Sequence, residues 1–200
     1  MKKIAAFLLI AGVCLTQACG NGSNNNGNTD SSAVGTDTTS MSNMDTSAGT
    51  SSISSTPLGG DDSTFAMKAA MGGMMEVQLG QIAQQKASDQ RVKDFGSMMV
   101  QDHSAANDEL KRLTSAKNLT LPTTLNDKHQ KEIDDLNKKS GTDFDKAYMK
   151  MMVDDHEKDI KEFEKAGNDA KDPDLKSFVM KTLPTLQKHL DSAKAISGKK

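Results

Sequence analysis

From residue 62 onward, apolar side chains recur every three to four positions, and no run alternates with period two for long enough to make a strand. The spacing predicts an all-α domain over 62–197. A first helix is expected over 62–87, opened by Asp62-Ser63, with Phe65, Ala69, Gly72, Leu79 and Ala83 on one stripe and Glu76 near its centre. A second, over 88–116, buries Val92, Phe95, Met99, Ala106, Leu110 and Leu113. The connection 118–122 leads to a shorter helix over 123–139 that turns Leu125, His129, Ile133 and Leu136 inward. Ser140-Gly141-Thr142 turns the chain into a helix over 143–166 with Tyr148, Met152, Ile160 and Phe163 on its stripe, ended by Gly167-Asn168. Asp172-Pro173-Asp174 opens the last helix, which carries Leu175, Val179, Leu186, Leu190 and Ala193 and is expected to bend at Pro184.

A repeat is superimposed on this pattern. Met98-Met99-Val100 followed by Asp102-His103 returns as Met151-Met152-Val153 followed by Asp155-His156, a separation of 53 residues. The same separation takes Phe95 to Tyr148, Glu109 to Glu162, Leu110 to Phe163 and Glu76 to His129. Read as a duplicated unit, it predicts two repeated αα-hairpins, the first helix with the second and the third with the fourth, plus a C-terminal helix. Counting about 1.5 Å per residue from each turn brings Glu76, Asp102, His103, His129, Asp155 and His156 to one level, with His189 within a turn or two of it.

Ahead of the helices, Lys2-Lys3, an apolar run over 4–15 and Thr16-Gln17-Ala18-Cys19 have the parts of an export signal. The run is too short for a permanent membrane span. The lipoprotein form of such a signal places the cut after Ala18 and the lipid on Cys19, although the position three before the cysteine is Thr16 rather than leucine. Residues 1–18 are thus expected to be removed and the mature chain anchored to a membrane through Cys19. The only other cysteine is Cys14, inside the run, so the mature chain has no internal disulfide and no thiolate cluster. Residues 19–61 are dominated by Ser, Thr, Asn and Gly, a composition that cannot offset its ordering entropy. They read as a tether that spans roughly 35 Å.

Charge excludes more than it suggests. The formal net charge is -2, with lysines and acids interspersed, and no basic stripe calls for nucleic acid. The folded part has no cysteine nucleophile and no serine elbow, and Gly72-Gly73 lies within a helix, where small residues permit close packing. The helices mix both charges on their polar faces and need their apolar stripes for a core, which argues against a membrane-coating role.

The chemistry therefore rests on Glu76, Asp102, His103, Asp155, His156 and His189. Inward imidazoles and carboxylates on facing helices are how bundles hold metals, a divalent ion being the candidate cofactor. The competing account is a buried network in which each Asp holds a His and fixes register. Adjacent Asp and His project ~100° apart, which favours contacts between helices, and no inward Glu-x-x-His of the di-iron kind is present. The methionines beside the histidines could suit Cu(I), but at helical spacing they read as core. Tyr148, the single tyrosine, is expected to pack inward with its hydroxyl on Glu76 or Asp102.

Several motifs in order carry a family resemblance: Glu76-Val77 with Leu79-Gly80, the two Met-Met-Val segments with their Asp-His pairs, Phe144-Asp145 with Ala147-Tyr148, and Leu183-Pro184 with His189-Leu190. Over 65–196 the chain resembles the bacterial family known as domain of unknown function 4142, whose members are often labelled predicted outer membrane proteins. The resemblance implies a ferritin-like antiparallel helical bundle in the cell envelope and no established reaction. The residues and the resemblance together favour a non-enzymatic structural or interaction module with an unidentified protein partner. The alternative is a metal-binding protein or metal-dependent oxidoreductase that uses the inward cluster.

Overall fold

The structure is a computed structural model that describes residues 53–198. The signal segment 1–18, Cys19 and most of the tether lie outside the described residues. Among the described residues there are five helices and no strand: α1 (Gly60–Lys86), α2 (Gln90–Ala116), α3 (Asp127–Asn137), α4 (Gly141–Asp169) and α5 (Pro173–Ser197).

Side-chain caps start three of them. Asp89 accepts from Arg91 N, Asn126 from His129 N at 2.9 Å, and Asp172 from Asp174 N and Leu175 N, with Pro173 in the first helical turn where its missing N–H is harmless. The third helix is shorter than expected because Asn126, not Thr123, provides its cap. α4 continues past Gly167-Asn168 to Asp169, since Gly167 is buried against Val179 and Met180 of α5 and serves packing rather than termination. α5 runs through Pro184 as one helix.

The pairing of helices differs from the sequence expectation. α1 packs along α2 and α4 along α5, while α3 makes only minor contacts with α1 and α4. Contacts at the helix ends give the directions. Asp62 at the start of α1 accepts from the backbone at Lys171 and Asp172, where α5 begins. Asp145 at the start of α4 accepts from Ser88 N at 3.0 Å and Asp89 N at 2.9 Å, where α2 begins. α1 and α5 are thus parallel, α2 and α4 are parallel, and each pair occupies a diagonal. The segment from Lys117 through α3 returns the chain along the bundle, the single long crossover of ferritin-like bundles.

This connectivity corrects the repeat. The 53-residue separation relates α2 to α4, parallel helices on a diagonal, and not two hairpins. The structural repeat is 83 residues long, joining Asp62 to Asp145, Glu76 to Asp159 and Asp89 to Asp172, and it carries the α1–α2 hairpin onto α4–α5 with the same terminal hydrogen bonds.

The core holds Leu79, Met99, Leu110, Phe144, Tyr148, Met152, Leu175 and Val179, all essentially without exposure. α1 and α2 approach closely at Gly80 and Gly96, where an added Cβ would stand 2.6 Å and 2.8 Å from the opposing carbonyl oxygen. At one end, buried Lys117 reaches Asp172 at 2.5 Å, Asp174 at 2.9 Å and the carbonyl of Ser54 at 3.1 Å, holding the chain that enters the bundle. Among the described residues no helix is long and apolar enough to cross a membrane.

Candidate metal centre

The four long helices each send one buried polar side chain to a common point: Glu76 from α1, His103 from α2, His156 from α4 and His189 from α5. None exceeds 6% exposure. The three imidazoles form a tight group, with ring centroids 5.7 Å apart for His103 and His156, 5.1 Å for His103 and His189, and 5.3 Å for His156 and His189.

Hydrogen bonds behind the rings fix which nitrogens carry protons. His156 Nδ1 lies 2.9 Å from the Met152 carbonyl, which can only accept, so Nδ1 donates and Nε2 keeps a lone pair. His189 Nε2 donates to Asp102 Oδ2 at 2.9 Å, leaving a lone pair on Nδ1. His103 Nδ1 donates to Glu76 Oε2 at 2.9 Å, and its buried Nε2 has no partner. His156 Nε2 and His189 Nδ1 then face each other at 3.3 Å, acceptor against acceptor. The three histidines offer ligand atoms that all lie within 4.8 Å of one another.

The electrostatics keep most of these nitrogens free of protons. Burial drives the His156 imidazole down to about 4, with the neighbouring His103 and His189 adding to the effect against Glu76. Burial also lowers His189, against the pull of Asp102. For His103 burial acts downward too, but Glu76 outweighs it and, with Asp102, leaves this imidazole above its ordinary value. Glu76 is pushed up by burial and pulled further down by His103 and His156, ending well below the usual carboxylate range.

Such a set fits a metal ion. Ligating histidines donate their second ring N–H to a carboxylate or backbone carbonyl, which orients the ring and raises its basicity. Here Glu76, Asp102 and the Met152 carbonyl take those protons. Two carboxylates beside the imidazoles would also offset the charge of a divalent cation. An all-nitrogen donor set suits borderline ions such as Zn(II) or Cu(II).

Four residues expected from the sequence are brought together, and Asp102 backs His189 from the rim, its side chain 35% exposed. Asp155 is not. It turns away, 3.2 Å from Lys158, with burial raising its carboxyl against that lysine. His129 stands apart on α3, since α3 is the crossover and not a wall of the bundle. Tyr148 does pack inward between Phe95 and Phe144, but its buried hydroxyl has no hydrogen-bond partner among the described residues. Burial and then Glu76 push that hydroxyl above its ordinary range.

Asp159 is the residue that the stripe pattern did not single out. It lines a cavity of about 40 Å³ with Glu76, His103 and Asn107. Burial first, then Glu76, hold its carboxyl up at about 9. The signal for it was the 83-residue separation from Glu76.

A four-helix bundle with one crossover and a buried cluster of three histidines is the class this molecule defines. The chain belongs to the family described as domain of unknown function (DUF4142), whose model matches residues 47–196. No curated protein matches it. Its fold is similar to the crystal structure of a DUF305 fragment from Deinococcus radiodurans, at 9% identity and a TM-score of 0.63, over 71% of this chain and 98% of that one.

Proposed function

We propose that this protein is a metal-binding bundle of the bacterial envelope, holding one divalent transition-metal ion on His103, His156 and His189. The observation that carries the reading is the convergence of three buried imidazoles, with His156 Nε2 3.3 Å from His189 Nδ1 and His103 Nε2 without a partner. A network built only for packing would give the buried His103 Nε2 a partner. Glu76 and Asp102 serve as the groups that orient the rings. The export signal and Cys19 support an anchored location, with 19–61 as the spacer between membrane and bundle.

Equilibrium competition between the metal-free full chain and a chromogenic chelator tests the site. One Zn(II) per chain is expected, with binding weakened by at least about a hundredfold in His103→Ala, His156→Ala and His189→Ala, the scale expected when a metal loses protein support. No stoichiometric uptake of Zn(II), or uptake indifferent to all three substitutions, returns the cluster to a packing role. Incorporation of labelled palmitate into the parent and not into Cys19→Ala tests the anchor, and equal label in the two removes it.

A further inference from the structure

A metal held by His103, His156 and His189, the premise on which this inference rests, needs a path into the bundle. The cavity that Asp159 shares with Glu76 and His103 leads to the surface beside Lys68 of α1 and Glu162 of α4, both exposed. Small residues of α1 keep it open: Ala69, Gly72 and Gly73 line it, and a Cβ added at Gly72 would meet nothing within 4 Å.

The inner part of this cavity holds donors that the bundle leaves unused. Glu76 is 4% exposed, and while its Oε2 lies 2.9 Å from His103 Nδ1, its buried Oε1 has no hydrogen-bond partner. His103 Nε2 is a second buried atom without one. Asp159 joins them, and its sequence neighbour Lys158 is turned to Asp155 at 3.2 Å. At the mouth Lys68 and Glu162 offset each other. Further in, the ionisable groups on the wall are Glu76, Asp159 and His103, set among Phe65, Phe163 and Phe178. A narrow opening lined by carboxylates and apolar rings concentrates cations. The groove between α2 and α5 has carboxylates too, but they are engaged, Asp102 by His189 at 2.9 Å and Glu109 by Lys181 at 2.7 Å.

We propose that the cavity beside α1 and α4 is the route by which the metal enters, and that Glu76 Oε1 and Asp159 form a transient oxygen-donor site where a divalent cation halts before it reaches the histidines. Carboxylate oxygens suit an ion that still carries part of its hydration shell. A volume of about 40 Å³ has room for a few water-sized bodies, at roughly 10 to 15 Å³ each. In the metal-free chain burial and then Glu76 hold the Asp159 carboxyl up at about 9, and a cation between the two carboxylates takes the place of that proton.

The test mixes the metal-free full chain with Co(II), a spectroscopic substitute for Zn(II), in a stopped-flow instrument and follows the visible bands of the histidine-bound ion. Asp159→Asn should slow uptake by at least about tenfold, the lower end of what a focused field contributes to an on-rate. Gly72→Leu, which fills the open space on α1, should slow uptake and release together and end at the parent's spectrum. Ala105→Phe, in the α2–α5 groove, should change neither rate. Equal uptake in the parent and the first two variants, or slowing by Ala105→Phe alone, overturns the proposal. Unaltered uptake with faster release in Asp159→Asn makes Asp159 a resident ligand and overturns it as well. A chain that takes up no cobalt removes the metal reading and this inference together, whereas normal uptake with unchanged rates removes this inference alone.

Discussion

Replacing Asp102 by Asn separates a metal centre from a packing clasp. Asp102 Oδ2 accepts from His189 Nε2 at 2.9 Å, and that bond turns His189 Nδ1 towards His156 Nε2. Asn offers an oxygen of the same reach, so the ring stays in place and the metal-free fold loses little. With the side chain 35% exposed, the change in stability should stay within about 0.5 kcal/mol. The metal responds differently, because the carboxylate supplies charge and basicity to the ligand behind which it sits. Loss of such a partner weakens metal affinity about 10- to 100-fold, or about 1.4 to 2.7 kcal/mol. Chelator competition with Zn(II) measures the first quantity, and urea unfolding of the metal-free chain the second. A double-mutant cycle with His189→Ala should erase the Asp102 effect, since the aspartate acts only through that ring. Unchanged Zn(II) affinity combined with a drop of about 1 kcal/mol or more in metal-free stability, on the scale of a buried hydrogen bond, would refute the reasoning.

Asp159→Asn should stabilise the metal-free chain by at least about 1 kcal/mol at pH 8, with the gain closing towards pH 4. The carboxyl of Asp159 is raised on folding, so its contribution is whole below the usual carboxylate range and drains away as pH climbs; urea curves that stay parallel across this window count against it. Gly72→Ala and Gly96→Ala should move melting temperature in opposite directions. The first has open space and gains about 0.5 to 1 kcal/mol of helix propensity, while the second meets the Gly80 carbonyl and should lose about 1 to 3 kcal/mol. Asp62→Ala and Asp145→Ala should each cost about 1 to 3 kcal/mol by stranding backbone N–H groups, and their effects should add because they lie at opposite ends; a double variant no worse than either single one would contradict that.

The helices were legible because their stripes and caps are local: Asp89, Asp172 and Pro173 stand where the chain must start a helix. The order of packing was not. α3 and α4 are joined by a tight turn at Ser140, and a short connection argues for neighbours, yet α3 has only 11 residues beside the 25 to 29 of the bundle helices. That shortfall, with the irregular stretch around Pro122, was the available sign of a crossover. Glu76, His103, His156 and His189 were found because each interrupts an apolar stripe. The ring orientations on which the two accounts turn depend in part on the Met152 carbonyl, a backbone atom that no side-chain pattern reveals. Asp159 escaped because the conspicuous Met-Met-Val repeat drew the comparison to the wrong pair of helices.

The crossed terminal contacts have a consequence for how the molecule assembles. Asp62 in the first hairpin completes the start of α5 in the second, and Asp145 in the second completes the start of α2 in the first. Each second helix has its own side-chain cap, Asp89 or Asp172, but the N–H groups at and just before that cap are paired only by the other hairpin, and each hairpin provides only half of the Glu76, His103, His156 and His189 set. The two halves are therefore bound into one cooperative folding event, because a solitary hairpin leaves these N–H groups and its half of the buried polar set unpaired. A metal held as proposed would be captured only once the halves have joined, so occupancy of the centre would report that folding is complete.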